Sequence, residues 1–384
     1  MFAFPGGAWA DGRVSVDAEA GAGIASNPFL TSPNEGDSVY FEFNLLPQFR
    51  IEDQLSKTTV RGSLRHRSYM SHYSGTSEGS IDFTHDRKLS NVLDATFLVG
   101  FESAVIGQRN APGDITIVEP PTPEEGNDLG VPDVTLVGSR QRQQRIRAST
   151  SLDYDMSERD SLSGGIEFGR THNPNLFDDT NYQSLSASVK YKRRLSERSS
   201  IGAVMNGERI WYDSNGGTYE IYRPQLVYST RLAAGWSLDA AAGGLIIKGS
   251  GTPGDFTSWS YSASVLLCRQ GERSRFCAAL QRDATASALA GVRRFVNASA
   301  HYSHRLNKDL SADLNSTYSR FGGGRLQSGS SSLWTAAGGV QLDLSQRTIA
   351  HAGVGLRRVG YSQGGHSTDG YAQGSVSFTL GSLR

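Results

Sequence analysis

The chain has 384 residues, with 38 Lys and Arg against 38 Asp and Glu, 37% apolar residues and a mean hydropathy of −0.39. It holds no run of about 20 apolar residues, so a helical membrane protein is excluded, and its zero formal charge gives no bulk basicity to argue for nucleic acid. A transmembrane β-barrel passes both tests, because every second side chain faces a wet lumen and the mean hydropathy stays that of a soluble protein.

The N-terminal stretch MFAFPGGAWADGR lacks a basic n-region, and its apolar part is too short and too rich in Gly and Pro for a signal peptide. An exported chain is therefore expected to have lost its signal ahead of this numbering. From residue 13 onward long stretches alternate with period two, and strands are predicted at 13–24, 38–53, 57–70, 79–87, 91–106, 138–154, 160–170, 181–193 and 199–211. They continue at 218–231, 235–248, 256–268, 274–286, 292–305, 309–321, 332–344, 347–361 and 369–380. The hairpin at 185–211 shows the unit most plainly. Leu185, Ala187, Val189 and Tyr191 alternate with Ser186, Ser188 and Lys190, and after a short turn Ile201, Ala203, Met205 and Trp211 lie opposite Gly202, Asn206 and Glu208. Each arm runs about a dozen residues, against roughly 5–6 for a soluble strand and roughly 9–11 to cross a bilayer at a tilt.

Tight turns resembling Leu-Ser-x-x-Ser begin at Leu55, Leu89, Met156, Leu195, Leu232, Gln270, Leu306 and Leu344, spaced by 39, 37, 38, 36 and 38 residues from Met156 onward. A period near 40 also fits propeller blades, but a blade holds four short strands and each repeat here holds two long ones. The other connections are longer and polar: 25–37, 71–78, 107–137, 171–180, 212–218, 249–257, 286–292, 321–331 and 362–369. Short turns on one side and long loops on the other predict an all-β chain: one transmembrane antiparallel up-and-down β-barrel domain over 1–384. About eighteen strands lie within 13–380, sixteen or twenty if one hairpin is miscounted. The segment 107–137, with Pro120-Pro121-Thr122-Pro123, either folds into the lumen or lies outside it.

One face of the strands reads as lipid-facing: Leu93, Ala95, Phe97, Val99 and Phe101; Ile146, Ala148, Leu152 and Tyr154; Trp259, Tyr261, Ala263, Val265 and Leu267; Leu310, Ala312, Leu314 and Tyr318; Val376, Phe378 and Leu380. Trp211, Trp259 and Trp334 near the loops, with Tyr154, Tyr191, Trp236 and Tyr302 near the turns, form two aromatic girdles. The other face carries an acidic mouth near the turns, Asp94, Asp153, Asp239, Asp313 and Asp343, and further up a basic zone of Arg65, Arg67, Arg145, Arg147, Lys190, Arg223 and Arg293. Such a pattern either focuses an anionic solute or pairs opposite charges across the wall to hold the barrel's shape.

Catalysis has little support. The eight histidines are scattered, although His66, His72 and His172 fall near the loop rim; no metal or cofactor motif is present, and no enzyme activity is expected. The two cysteines, Cys268 and Cys277, flank a tight turn on antiparallel arms and both point into the lumen. Directly opposed, they meet the separation a disulfide accepts and would be oxidised in the periplasm. A slip of one residue would leave them unpaired.

Val14-Ser15-Val16 through Gly23-Ile24-Ala25-Ser26-Asn27-Pro28-Phe29-Leu30, then Leu45-Leu46-Pro47 and Arg67-Ser68-Tyr69, resemble the outer-membrane β-barrel porins associated with bacterial exopolysaccharide export. In that family a strand leads into an Asp-Asn-hydrophobic-Phe segment, and Arg-x-Tyr precedes the second loop. The resemblance implies an outer-membrane pore that hands a polysaccharide to the cell surface, with outer-membrane lipid and periplasmic export components as partners. The architecture also resembles the eighteen-stranded alginate-export porin. The alternatives are a general diffusion porin and a structural or adhesive surface barrel with a closed lumen.

Overall fold

The computed structural model describes residues 11–106, 136–174, 180–213, 217–250, 254–287, 291–322, 330–361 and 364–381. Eighteen strands follow one another: β1 Asp11–Ala25, β2 Ser38–Glu52, β3 Ser56–Tyr69, β4 Thr76–Ser90, β5 Leu93–Val105 and β6 Arg142–Asp155. Next come β7 Asp160–His172, β8 Tyr182–Arg194, β9 Ser199–Tyr212, β10 Thr218–Arg231, β11 Trp236–Ser250 and β12 Phe256–Gln270. The last six are β13 Ser274–Ala286, β14 Val292–Arg305, β15 Leu310–Phe321, β16 Ser331–Asp343, β17 Thr348–Gly360 and β18 His366–Gly381. Each strand pairs antiparallel with the next, and β1 pairs with both β2 and β18, so the sheet closes into a barrel without a free edge. Closure matters because hydrocarbon offers no partner to an unpaired N–H or C=O.

The tight turns are built by side chains. At Ser157, Ser196 and Ser345 the hydroxyl accepts the backbone N–H of the residue two positions on, Arg159, Arg198 and Arg347, at 3.1–3.2 Å. Asn307 does the same for Asp309 and Leu310, both at 2.8 Å, and Asp53 for Leu55 and Ser56. These local bonds explain why the repeat carries Ser or Asn there. At Asp53 the N–H groups of Leu55 foremost, and of Ser56, hold the carboxyl below its ordinary value.

The outward face is apolar through the middle of the wall. Val99, Phe101, Ile146, Leu152, Tyr261, Val265, Leu314, Val376 and Phe378 are exposed there, as an outer belt facing lipid requires. Leu55, Leu89, Met156, Leu195, Leu232, Leu306 and Leu344 continue it down to the turns. Predicted boundaries shift where polar residues hide the alternation. β4 runs 76–90 rather than 79–87, because Thr76-Ser77 and Lys88 belong to the ladder despite their polarity. β6 begins at Arg142 rather than 138, because Leu136 and Val137 turn inward and are buried.

One seam departs from the pattern. The ladder between β12 and β13 stops at Ala263↔Arg282, while β12 goes on pairing with β11 to Phe256 and β13 with β14 to Ala286. Above that level the end of the β13–β14 hairpin leaves the wall.

Candidate functional site

Contacts fix where the hairpin goes. Ala284 packs with Ile210, Ile221, Leu245 and Ile247, whose side chains line the lumen face of β9, β10 and β11. The Tyr212 hydroxyl donates to the carbonyls of Ser287 at 2.9 Å and Gly291 at 2.8 Å. Arg223 on β10 donates from Nε to Asp283 at 2.9 Å and from a terminal nitrogen to the Ala284 carbonyl at 2.8 Å and to Glu208 at 3.0 Å. The hairpin end therefore lies inside the barrel, its back against the inner face of β9–β11. Arg282 stitches the seam, its guanidinium 3.9 Å from the Tyr261 ring centre and 2.6 Å from that hydroxyl.

A second segment enters from the opposite side. In the connection between β1 and β2, Asn27, Phe29, Leu30 and Thr31 are buried. Asp369 on β18 accepts the Asn27 N–H at 2.9 Å, and Arg357 on β17 donates to Asp369 and to the Pro28 carbonyl, both at 2.8 Å. The Ser367 hydroxyl donates to the Thr31 carbonyl at 2.8 Å, and the Tyr361 hydroxyl to that of Leu30. Leu30 packs on Val137, Phe295 of β14, Phe321 of β15 and Val359 of β17. Phe29 meets Tyr69 and Tyr73, and Arg140 lies 4.9 Å over the Phe29 ring while pairing with Glu35 at 3.0 Å. Burial pushes the Tyr73 phenol up. The second segment thus shares one apolar cluster with Phe295, the wall residue of β14 from which the inward hairpin departs, and both segments occupy the loop end of the lumen.

The predicted basic residues all face the lumen, but four are tied to carboxylates. Arg67 is buried against Glu42, its Nε 2.7 Å from Oε2. Arg65 pairs with Glu78 at 3.3 Å and donates to Asn44, which in turn donates to Glu19 and Glu42 at 3.1 Å. Arg147 pairs with Asp82 at 2.9 Å, and Arg223 with Asp283 and Glu208. Arg145 lies opposite Glu102 in register, and Arg293 is buried beside Thr285 on the inward hairpin. Lys190 does not join the zone. The row of Arg145 meets Thr171 and then Tyr182, so Lys190 lies eight residues nearer the turns, about 26 Å along the strand.

The five predicted carboxylates also face the lumen near the turns, with Asp94 directly opposite Asp153. The mouth is mixed rather than acidic, because Lys88, Lys192 and Arg231 share that face and level. In the same region Cys268 and Cys277 are directly opposed, 4.1 Å between Cα atoms, and joined by a disulfide on the lumen side. His66 and His172 face outward on strands separated by three others, so no histidine cluster forms from them. Among the described residues no group of His, Cys, Asp or Glu is placed to hold a metal ion.

Sequence reading missed Glu42, Glu208, Asp283, Arg357 and Asp369, and it missed the apolar residues of the lumen. A signal for the latter exists: Ile210-Trp211-Tyr212 and Leu245-Ile246-Ile247 are apolar on both faces, which a strand between lipid and water does not need.

No protein-family model matches the sequence, and no curated protein matches it either. Solved structures do. OccK2 (OpdF) of Pseudomonas aeruginosa superimposes with a TM-score of 0.51 at 12% identity over 97% of this chain and 98% of its own. OccK7 (OpdD) of the same organism gives 0.52 at 12% over 97% and 100%, and a BenF-like porin from Pseudomonas fluorescens Pf-5 gives 0.51 at 10% over 97% and 99%. The fold is that of a porin. At such identities the likeness carries the porin fold alone, and nothing in it supports the expected tie to polysaccharide export.

Proposed function

We propose that this porin-fold barrel is a channel of the Gram-negative outer membrane through which small hydrophilic solutes diffuse. The observation that carries the reading is the partly filled lumen: a closed barrel with an apolar outer belt, polar inside, whose loop end takes in two inward-folded segments, one packed on the inner face of β9–β11 and the other on Phe295, Phe321 and Val359. A cross-section set by packed side chains suits sieving of small molecules better than passage of a polymer. The Asn27-Pro28-Phe29-Leu30 stretch behind the polysaccharide-export resemblance is used here for packing, which leaves that reading and its periplasmic partners resting on short motifs. The paired arginines support the shape-holding role over an open anion path. The reading assigns no catalytic step and no cofactor.

Planar-bilayer recordings and liposome swelling test it. Stepwise conductance is expected, with monosaccharides entering faster than tetrasaccharides and with Leu30→Ala raising both the conductance and the size limit. Swelling rates independent of oligosaccharide length would favour a polymer conduit, and silent bilayers a closed surface barrel.

A further inference from the structure

The outward face differs in charge between its two rims. Within the last five residues of their strands on the loop side, Arg170, Arg209, Lys248, Arg320 and Arg358 all point outward by register. On that rim Glu220 is the outward-facing acid among the described strand residues, and Arg209 lies 3.9 Å from it. On the turn rim the outward charges are Arg87, Arg193 and Arg269 against Asp160.

The loop-side cations sit at a defined depth, because they are interleaved with the aromatic girdle. The Arg209 guanidinium lies 5.3 Å over the Trp211 ring and the Lys248 ammonium 5.5 Å over Tyr222, while Arg358 is the register neighbour of Trp334. Trp259, 72% exposed, marks the same level. Girdle tryptophans and tyrosines sit where hydrocarbon gives way to headgroups. A guanidinium resting on a ring keeps its in-plane N–H donors for another acceptor. Arg170, Arg320 and Arg358 are exposed and make no ion pair among the described residues.

We propose that this collar binds the phosphate groups of an anionic glycolipid leaflet, so that the barrel is ringed on its loop side by tightly held lipid. The proposal rests on the membrane-spanning reading but not on conduction. Phosphate oxygens at headgroup depth are the acceptors that a ring of arginines at that depth fits, and each cation near an anionic surface contributes roughly fivefold in affinity.

The test measures how tightly the detergent-purified barrel retains bisphosphorylated lipid A from mixed micelles, by native mass spectrometry and phosphorus NMR. Wild type should bind it well above its dephosphorylated counterpart. Arg170→Gln, Arg320→Gln and Arg358→Gln together should weaken retention roughly a hundredfold. Arg87→Gln, Arg193→Gln and Arg269→Gln, the same charge change on the other rim, should leave it within about twofold. Heat-modifiable gel mobility reports folding, and if the collar triple does not fold, Arg358→Gln alone should lose about fivefold. Equal losses in both triples, equal binding of the dephosphorylated lipid, or displacement by inorganic phosphate at matched phosphorus concentration would overturn the proposal. Bilayer conductance is read separately, so a silent channel with an intact lipid ring would count against the transport reading alone.

Discussion

At the loop end of the lumen Ile210, Ile221, Leu245 and Phe295 are buried, whereas at the turn end the same face carries Asp94, Asp153 and Asp343 exposed to solvent. The strands are continuous between the two ends and alternate with the same period. What changes is the company: inward-folded backbone meets the wall at one end and water at the other. The lumen of a barrel is thus not one environment, and a lumen-facing position is polar or apolar according to what lies across from it. The same contrast governs charge. At the constriction Arg67 and Arg223 are enclosed with Glu42, Asp283 and Glu208, while Lys88 and Asp343 at the mouth are solvated.

The comparison breaks most visibly at Asp283. Asp283→Ala takes away a carboxylate enclosed with Arg223, and removing one partner of a buried pair costs about 3–5 kcal/mol. Unfolding in urea should show that loss, accompanied by noisier, larger conductance as the hairpin loosens; an unchanged midpoint and conductance would mean that the pair does not hold the hairpin. Next in size is the wall itself. Val99→Arg or Val265→Arg near the bilayer midplane should destabilise the barrel in lipid by about 2–4 kcal/mol. Leu98→Arg and Ser264→Arg, which face the lumen at the same level, should cost far less. Equal sensitivity would reverse the face assignment.

The disulfide sharpens the turn-end half of the comparison. Cross-linking so short a loop is worth about 2–3 kcal/mol by chain entropy. Protein recovered from the outer membrane, denatured without reductant, should show no reactive thiol; two per chain would remove the bridge. Charge reversal at Arg145, Arg147 and Lys190 is smaller still. With the constriction arginines paired, replacing these three by Glu should move the reversal potential modestly toward cations, and the shift should shrink at 1 M salt, where the Debye length is about 3 Å. A large shift would show that Arg145 and Arg147 form an open anion path. The smallest effect belongs to the Asp53 turn. Its carboxyl is held below the ordinary value, so the turn's stabilisation is fully present above the unfolded value near pH 4 and is lost as pH falls through the lower folded one. Amide exchange at Ser56 should accelerate over that acidic window, and Asp53→Asn should abolish the dependence.

The strand count and the lipid face were legible because Phe97, Val99 and Phe101, or Val376, Phe378 and Leu380, answer to one environment, hydrocarbon, along their whole length. The constriction was not, because burial of Ile221 or Asp283 depends on strands three or four places away around the barrel, which no local period records. The arginines showed the same limit: their face followed from parity, but whether Arg67 meets Glu42 or water is decided across the wall. Besides the runs at 210–212 and 245–247 that are apolar on both faces, Phe29-Leu30 in an otherwise polar loop was a local hint, since an apolar pair with no strand period has to find its cover elsewhere.

The ladder between β12 and β13 carries one more consequence, for assembly. It is cut off at Ala263↔Arg282, and fewer backbone bonds resist a slip there than where two strands are joined along their full length. A slip of one residue would turn Val265 inward and Ser264 toward lipid. The Cys268–Cys277 bond sits in this same pair, at the end where the ladder survives. Formed in an oxidising compartment before insertion, it would deliver this hairpin to the membrane with its register already decided, so that the weakest-zipped pair in the wall is the one that cannot be zipped wrongly.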